Sequence, residues 1–368
     1  MHTMLAVRAH QGSLEAHMDT IAIPEPGPDD VVVKVVAAGV SPGMMRVLEL
    51  GRFHYLPTTL GPEGAGDVAA TGADVRDVKV GDRVRLHANL NCRRCGYCRT
   101  DRDMMCPELA IMGHGGFGSG YMPMYAEYHD GALAEYVRAP YWQFDRLPDS
   151  VSFEVAAKLS HFATAARAIK CADLRPGASV VVTASTGSIG AATVRLAHTF
   201  GIAHLVLVGR NRERLATVGK LAEHTAIDVV ATDDLPDGWE GGGALTESLR
   251  ALLPSGADAV IDYTPTGPTV HQCTAALATG GALVHLGSNA APLALPLQEV
   301  MMNCWRVVGM RGTTRSDCDQ ILRLMAGGAL SGDALITHRF PLTATDEAFR
   351  TIRSRDSTEP MWMVVATP

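Results

Sequence analysis

Val180-Val181-Val182-Thr183-Ala184-Ser185-Thr186-Gly187-Ser188-Ile189-Gly190 is the stretch that decides the fold. A β-branched run leads into small residues and then a helical pattern, which predicts a strand, a tight turn and a helix N-terminus. Backbone N–H groups at such a turn, together with the positive end of the helix dipole, bind a pyrophosphate. The spacing is a relaxed G-x-G-x-x-G with Ala184 in the first position, and close packing of a helix on a strand also produces this pattern. The residues predicted to bind a dinucleotide here are Ser185, Gly187, Ser188, Ile189 and Gly190.

A second apolar run, 204–208, is followed by Gly209-Arg210-Asn211-Arg212. Arg210 lies about 20 residues after Gly190, where an acidic residue would accept hydrogen bonds from the ribose 2′-hydroxyl of NAD and an arginine accommodates the 2′-phosphate of NADP. Gly209, Arg210 and Asn211 are therefore predicted to bind NADP(H). The alternative is that Arg210 and Arg212 only begin the solvated face of the next helix.

Length and charge limit the class of protein. A chain of 368 residues is too long for one ordinary core, so two domains are expected. The net charge of −7 argues against nucleic acid or a membrane surface as a partner. No apolar run reaches the length of a membrane-spanning helix, and the first residues do not resemble a secretion signal, so a cytoplasmic protein with a small-molecule substrate is predicted.

Four of the eight cysteines form a cluster, Cys92, Cys95, Cys98 and Cys106, with the spacing C-x2-C-x2-C-x7-C. In a reducing compartment such a cluster indicates a metal site or redox chemistry rather than disulfides. Four thiolates can close a tetrahedral zinc site with no open position, so the metal would be structural. An iron–sulfur cluster and four unliganded thiols are the alternatives.

The two halves of the chain differ in pattern. Residues 1 to about 145 are predicted to be mainly β, and the glycine-, aromatic- and methionine-rich segment 111–125 is predicted to be a loop that faces the substrate. Residues 180–315 alternate β and α, which indicates a doubly wound parallel sheet with binding at the carboxyl ends of its strands. Tyr263, Thr264, Gly287 and Ser288 are predicted to lie at those ends.

The order of these parts resembles the zinc-type alcohol dehydrogenase branch of the medium-chain dehydrogenase/reductases. The matching segments are 92–106, 131–137, 180–190, 256–262, 280–287 and 335–342. The resemblance implies an α/β protein with a GroES-like β-barrel catalytic domain at 1–150 and 315–368. This domain would carry the structural-zinc lobe at about 89–107, and a Rossmann nucleotide domain would occupy 151–314. It also implies a homodimer or homotetramer, with a dimer contact near 290–302.

The chain departs from this family at the positions of the catalytic zinc. The cysteine and aspartate of the G-x-C-G-[TS]-D motif are replaced by Ser41 and Met44, and Pro62 replaces the histidine of the G-H-E motif. The later cysteine or acidic ligand falls at about His161. Proline has no ligand atom in its side chain and a serine hydroxyl is a poor one, which leaves Glu63 and His161. A structural zinc without a catalytic zinc is therefore predicted.

Three functions are compatible with this pattern. Hydride transfer from NADPH to an enone, quinone or iminium needs no Lewis acid, and the zinc-less relatives of this family use such acceptors. An alcohol dehydrogenase or carbonyl reductase could use an unusual zinc on His161, Glu63 and His54, or acid catalysis instead. A nucleotide-binding protein without catalysis is the third.

The candidate catalytic residues are His161, His54, Tyr55 and Ser41 as proton donors and Glu63 as the group that orients a histidine. His161 could instead be a packing histidine, and Tyr55 could simply fill the wall of the site. Thr164 is the predicted contact to the nicotinamide.

Overall fold

The structure is a computed structural model that describes residues 2–118, 121–354 and 360–368. Its strands are β1 (Thr3–Ala9), β2 (Ala16–Ala22), β3 (Asp30–Val40), β4 (Thr58–Thr59), β5 (Gly64–Thr71), β6 (Arg83–Leu86), β7 (Asn89–Leu90), β8 (Ala110–Ile111), β9 (Gly115–Gly116), β10 (Tyr136–Pro140), β11 (Phe144–Arg146), β12 (Ala178–Thr183), β13 (Ile202–Gly209), β14 (Ala226–Ala231), β15 (Ala257–Asp262), β16 (Leu277–His285), β17 (Arg306–Gly309), β18 (Ile336–Pro341) and β19 (Met363–Thr367). Its α-helices are α1 (Pro42–Glu49), α2 (Pro123–Glu127), α3 (Phe153–Ala157), α4 (Leu159–Ala172), α5 (Ser188–Leu196), α6 (Arg212–Gly219), α7 (Trp239–Gly242), α8 (Ala244–Leu252), α9 (Thr269–Thr274), α10 (Leu297–Met302), α11 (Arg315–Ala326) and α12 (Thr345–Ser354).

The chain divides into two compact units. The first contains Met1–Ser160, Thr314–Ser357 and Met363–Pro368, and the second contains His161–Thr313 and Thr358–Trp362. The sequence prediction began the nucleotide domain at 151, ahead of the boundary observed within α4. The reason for the difference is packing, because α3 lies against β3, β5 and β6 of the first unit.

The first unit is built around β3. This strand pairs with β5, β10 and β19 in a seven-stranded sheet whose main path runs β11-β6-β5-β3-β19-β18. Its valines Val31, Val32, Val33 and Val35 are all buried, whereas Lys34 and Val36 are exposed, so burial alternates over residues 33–37. Two smaller antiparallel sheets, β2-β1-β4 and β7-β8-β9, complete the strands of this unit.

The second unit contains a six-stranded sheet in the order β14-β13-β12-β15-β16-β17, and every neighbouring pair is parallel. The chain starts in the middle with β12, moves outward to β14 and then returns to build the other half. This order confirms the predicted doubly wound sheet. Val180, Val181 and Val182 of β12 are fully buried, as expected for a central parallel strand.

Two details differ from the sequence prediction. β17, at the edge of the parallel sheet, has no clear apolar run in the sequence, because three of its four residues are exposed. The segment 111–125 was predicted to be a loop, but it contains β9 and most of α2, and β8 reaches into its start. A one-turn helix beginning at Pro123 gives little periodicity to read. Ser119 and Gly120 lie outside the described residues.

Among the described residues, none of the helices combines the length and the apolar character needed to cross a membrane.

Candidate functional site

The turn between β12 and α5 has the shape of a phosphate cradle. Ala184 has a φ of +46°, so it adopts the left-handed conformation for which this motif usually employs glycine. Gly187 is the N-cap of α5, and a Cβ on Gly190 would lie 2.5 Å from the Cα of Ser185. The turn therefore has no room for a side chain at position 190, which is the physical reason for the glycine of the predicted motif.

At this turn, backbone N–H groups rather than the hydroxyls of Ser185 and Ser188 are available to bind an anion. The hydroxyl of Ser185 donates to the Val208 carbonyl at 3.4 Å, and that of Ser188 donates to the Trp362 carbonyl. The first N–H groups of α5, beginning at Ser188 and Ile189, have no acceptor within the helix. These donors and the helix dipole fit a pyrophosphate.

The residues predicted to bind the ribose and its 2′-phosphate lie at the end of β13. Asn211 caps α6, its side chain accepting the Arg214 N–H at 3.0 Å. Arg212 is paired with Asp234 at 2.5 Å. Arg210 is exposed and takes part in no ion pair among the described residues, so its guanidinium is available for a phosphate.

The carboxyl ends of β15 and β16 hold a polar network that sequence reasoning missed in part. The buried Asp262 carboxylate accepts hydrogen bonds from Thr183, from the Thr264 hydroxyl at 2.6 Å and from Nδ1 of His285 at 2.6 Å. The Tyr263 hydroxyl bonds that of Thr193 at 2.8 Å, and burial raises the pKa of Tyr263. In the sequence, His285 could have been recognised as a polar residue within the apolar pattern of β16.

Two further predicted contacts lie in the second unit beside this network. A Cβ on Gly287 would lie 2.1 Å from the Thr264 carbonyl oxygen, so the two strand ends approach closely. Ser288 follows with a φ of +57°. Thr164 and His161 are both buried on α4.

The four clustered cysteines converge on one point. Their sulfur atoms all lie within 4.8 Å of one another, with 3.9 Å from Cys92 to Cys98 and 3.5 Å from Cys95 to Cys98. A tetrahedral zinc with bonds of about 2.3 Å needs sulfur separations of about 3.8 Å. The backbone N–H of Cys98, which donates to the Cys95 sulfur, lowers the pKa of that thiol to about 7. The residues fit a structural zinc.

Glu63 is the centre of a buried charged cluster in the first unit. Its Oε2 accepts a hydrogen bond from Nζ of Lys158 at 2.5 Å, and its Oε1 accepts one from the Ser160 hydroxyl at 3.3 Å. The Lys158 ammonium also donates to the Val40 carbonyl at 3.4 Å. Sequence reasoning named Glu63 and missed Lys158 and Ser160, because one lysine in an apolar helical segment gives no motif.

His54 and Tyr55 belong to an aromatic cluster in the same unit. Their rings meet the Tyr125 ring edge to face at 5.9 and 5.3 Å, and Tyr55 also stacks on His129 at 5.4 Å. Nδ1 of His54 accepts the Gly116 N–H at 3.4 Å. The fully buried Tyr125 hydroxyl has no hydrogen-bond partner among the described residues, and burial raises its pKa.

His114 is a half-buried histidine of the same unit whose ring stacks on that of Phe117, with the centroids 6.0 Å apart. Burial lowers the pKa of its imidazole to about 4, although the Glu63 carboxylate acts in the opposite direction. Nδ1 of His114 is buried without a hydrogen-bond partner in the part of the chain that the structure describes. His114 is therefore neutral near pH 7. It lies in the 111–125 segment, whose sequence gave no reason to single it out.

Two models of known families match this chain. The alcohol dehydrogenase GroES-like domain matches residues 27–149, and the zinc-binding dehydrogenase domain matches residues 188–327. The chain belongs to the zinc-type alcohol dehydrogenases of the medium-chain dehydrogenase/reductase family. The predicted family and the GroES-like and Rossmann fold classes are thereby confirmed.

Relatives of this alcohol dehydrogenase family align along almost the whole chain. "Probable D-xylulose reductase A" of Aspergillus fumigatus is 27% identical over 354 residues, covering 94% of this chain and 92% of the relative. The sorbitol dehydrogenase of Gallus gallus is 27% identical over 363 residues, covering 97% of this chain and 95% of the relative. A Sinorhizobium meliloti structure described as a zinc-binding dehydrogenase bound to NADP has a TM-score of 0.85 at 25% identity, with complete coverage of both chains. The chain is an oxidoreductase of the NAD(P)-dependent dehydrogenase/reductase class.

The positions at which this family supplies catalytic-zinc ligands have other contacts here. Ser41 is the N-cap of α1, and its hydroxyl accepts the Met44 N–H at 3.5 Å. Pro62 offers no side-chain donor atom. Glu63 is bound to Lys158 and Ser160, and His161 begins the second unit. Among the described residues, these positions do not bring three metal-ligating side chains together, whereas the four cysteines do.

Proposed function

We propose that this protein is an NADPH-dependent reductase that delivers hydride to an activated C=C or C=N acceptor, such as an enone, a quinone or an iminium, without a catalytic zinc. The observation that carries the proposal is the pairing of Glu63 with Lys158, since this carboxylate is one of the two metal-ligating side chains left at the expected positions and it is already paired with a cation. Oxidation of an alcohol in this family depends on a Lewis acid that lowers the pKa of the alcohol, whereas an electrophilic acceptor needs no such activation.

The cofactor is proposed to be NADP(H), which supplies the hydride when bound. The cradle at Gly187 and Gly190 would hold the pyrophosphate, and Arg210 would hold the 2′-phosphate. Its availability, in contrast to the paired Arg212, supports this assignment. The relative solved with NADP supports it independently.

His54 is the proposed proton donor among the predicted candidates. Because its Nδ1 accepts the Gly116 N–H, a neutral imidazole carries its proton on Nε2, the nitrogen left to face a ligand. The side chain is exposed, so it can reach one. Tyr55 would pack against the acceptor, and Ser41 and His161 stay candidate donors.

Carbonyl or alcohol chemistry is the second candidate, and the names of the relatives favour it. The xylulose reductase and the sorbitol dehydrogenase act on polyols or ketoses by their names. In that case acid catalysis, or a metal on residues outside the Glu63 cluster, would replace the family's zinc chemistry.

NADPH consumption separates the two candidates. The purified protein would be assayed with NADPH against enones, quinones, cyclic imines, aldehydes and ketoses, and with NADP⁺ against polyols. Turnover of enones or imines alone is expected; turnover of ketoses or polyols alone would reject the proposal. His54→Gln should lower kcat for the acceptor while NADPH binding is unchanged, and His17→Gln, on an exposed strand, is the matched control.

Each chain is further proposed to hold one structural zinc on Cys92, Cys95, Cys98 and Cys106 and to form a homodimer. The dimer proposal is supported by exposed apolar side chains on and near α10, Leu297, Met301, Met302 and Val307, within or close to the segment 290–302. Such a patch is unusual on a free surface. Met301→Glu should yield monomers in light scattering, and an unchanged mass would reject this surface.

A further inference from the structure

The Lys158 ammonium touches the chain beside each position where a metal ligand is missing. It donates to the Val40 carbonyl, which precedes Ser41, and to Glu63, which follows Pro62. Ser160, which bonds the other oxygen of the same carboxylate, directly precedes His161. One cation thus contacts two of the three segments that supply zinc ligands in the family, and it belongs to the third.

The surrounding structure buries this ion pair and leaves space for it. The side chains of Lys158 and Glu63 are only 1% and 7% exposed. A Cβ on Gly39 would lie 2.0 Å from Oε2 of Glu63 and 2.9 Å from Cδ of Lys158, so the pair occupies space that only glycine leaves open. A lysine buried to this degree requires a counter-charge, and Glu63 provides it.

The two charges of this ion pair offset each other without a metal. Glu63 carries one negative charge and Lys158 one positive charge, while Ser41 and Ser160 are neutral. His114, a titratable group whose pKa responds to Glu63, is uncharged near pH 7 because burial disfavours its charged form. A divalent cation placed beside this pair would leave excess positive charge in a desolvated environment.

We propose that the Lys158 ammonium takes the place of the family's catalytic metal ion as the cation that holds Glu63, and that it closes this position to a second zinc. The inference rests on the proposed zinc-independent function and names the group that makes the site metal-free. Because Lys158 is buried, it is a positioning residue that fixes the Glu63 carboxylate rather than a group that touches the substrate.

Metal counting on a re-liganded site tests the inference. In the double variant Ser41→Cys/Ser160→Cys, each hydroxyl becomes a thiol. Ser160 already bonds Glu63, and Ser41 follows the Val40 carbonyl that Lys158 contacts, so the two thiols and the Glu63 carboxylate would supply three zinc-ligand groups on the segments around the ammonium. We expect this variant to retain about one zinc per chain after loading and gel filtration, because Lys158 still occupies the position. Adding Lys158→Met should raise the count to about two, with the absorption bands of Co²⁺ bound to thiolate when cobalt is used instead.

Each outcome of this experiment either supports or overturns the inference. About two zinc ions in the double variant would show that the ammonium does not close the site, and about one in the triple variant would show that Lys158 is not what excludes the metal. Lys158→Gln, which keeps a hydrogen-bond donor without the charge, replaces Lys158→Met should the latter not fold. The structural zinc serves as the internal control for an intact lobe.

The metal count involves no substrate and is independent of the proposed reaction. Failure of enone or imine turnover in the wild-type protein would overturn the proposed function and leave the metal result standing. Binding of a second zinc despite Lys158 would overturn the inference even in an active reductase.

Discussion

Removal of the Lys158 charge should destabilise the first unit strongly. The ammonium lies 2.5 Å from the Glu63 carboxylate, and both side chains are almost fully buried. Lys158→Met preserves the apolar stem and leaves Glu63 as an uncompensated buried charge. Breaking a buried ion pair in this way costs about 3–5 kcal/mol. For units of this size each kcal/mol corresponds to roughly 2–4 °C, so the melting temperature should fall by roughly 6–20 °C.

Guanidinium unfolding near pH 7, with thermal scans alongside, measures this loss. The matched control is Lys79→Met, an exposed lysine whose loss should change stability by less than about 0.5 kcal/mol. Lys158→Met/Glu63→Gln removes both charges and should recover most of the stability. If Lys158→Met costs less than about 1 kcal/mol, or if the double variant costs the sum of the two single variants, the ion pair does not stabilise Glu63 as argued.

Three further predictions concern the cofactor, the zinc lobe and the pH dependence. Arg210→Ala should raise the KM for NADPH far more than that for NADH, whereas Arg212→Ala, which removes a partner of Asp234, should not; equal effects on both cofactors would remove the phosphate role of Arg210. Cys95→Ser should lower zinc content and thermal stability together, and an unchanged zinc content would exclude the four-cysteine site. His114 binds a proton below about pH 6.5 when unfolded but only near pH 4 when folded, so stability should fall as the pH drops between these values, by up to about 3 kcal/mol. His114→Asn should flatten this part of the profile, and superimposable profiles would show that another group, such as the buried His87, is responsible.

The nucleotide-binding unit could be predicted because its constraints are local. Val180–Val182, Gly187 and Gly190 follow one another within a single strand, turn and helix, and each residue type is dictated by burial or by close backbone approach. The cysteine cluster is similar, since four ligands within one short segment converge however the rest of the chain folds. β17 and the short strands of the 111–125 segment were not predicted, because exposed or two-residue strands show no periodic pattern in the sequence.

The sequence by itself therefore determined the family, the two kinds of domain, the phosphate turn and the structural zinc ligands. It also showed that Ser41 and Pro62 are unsuited to hold a metal. Only the tertiary structure revealed what occupies that place, because Lys158 meets Glu63 across 95 residues of chain and His114 approaches the same carboxylate from a separate segment. A residue's charge can be read from the sequence, but whether that charge is solvated or buried against a partner depends on long-range packing.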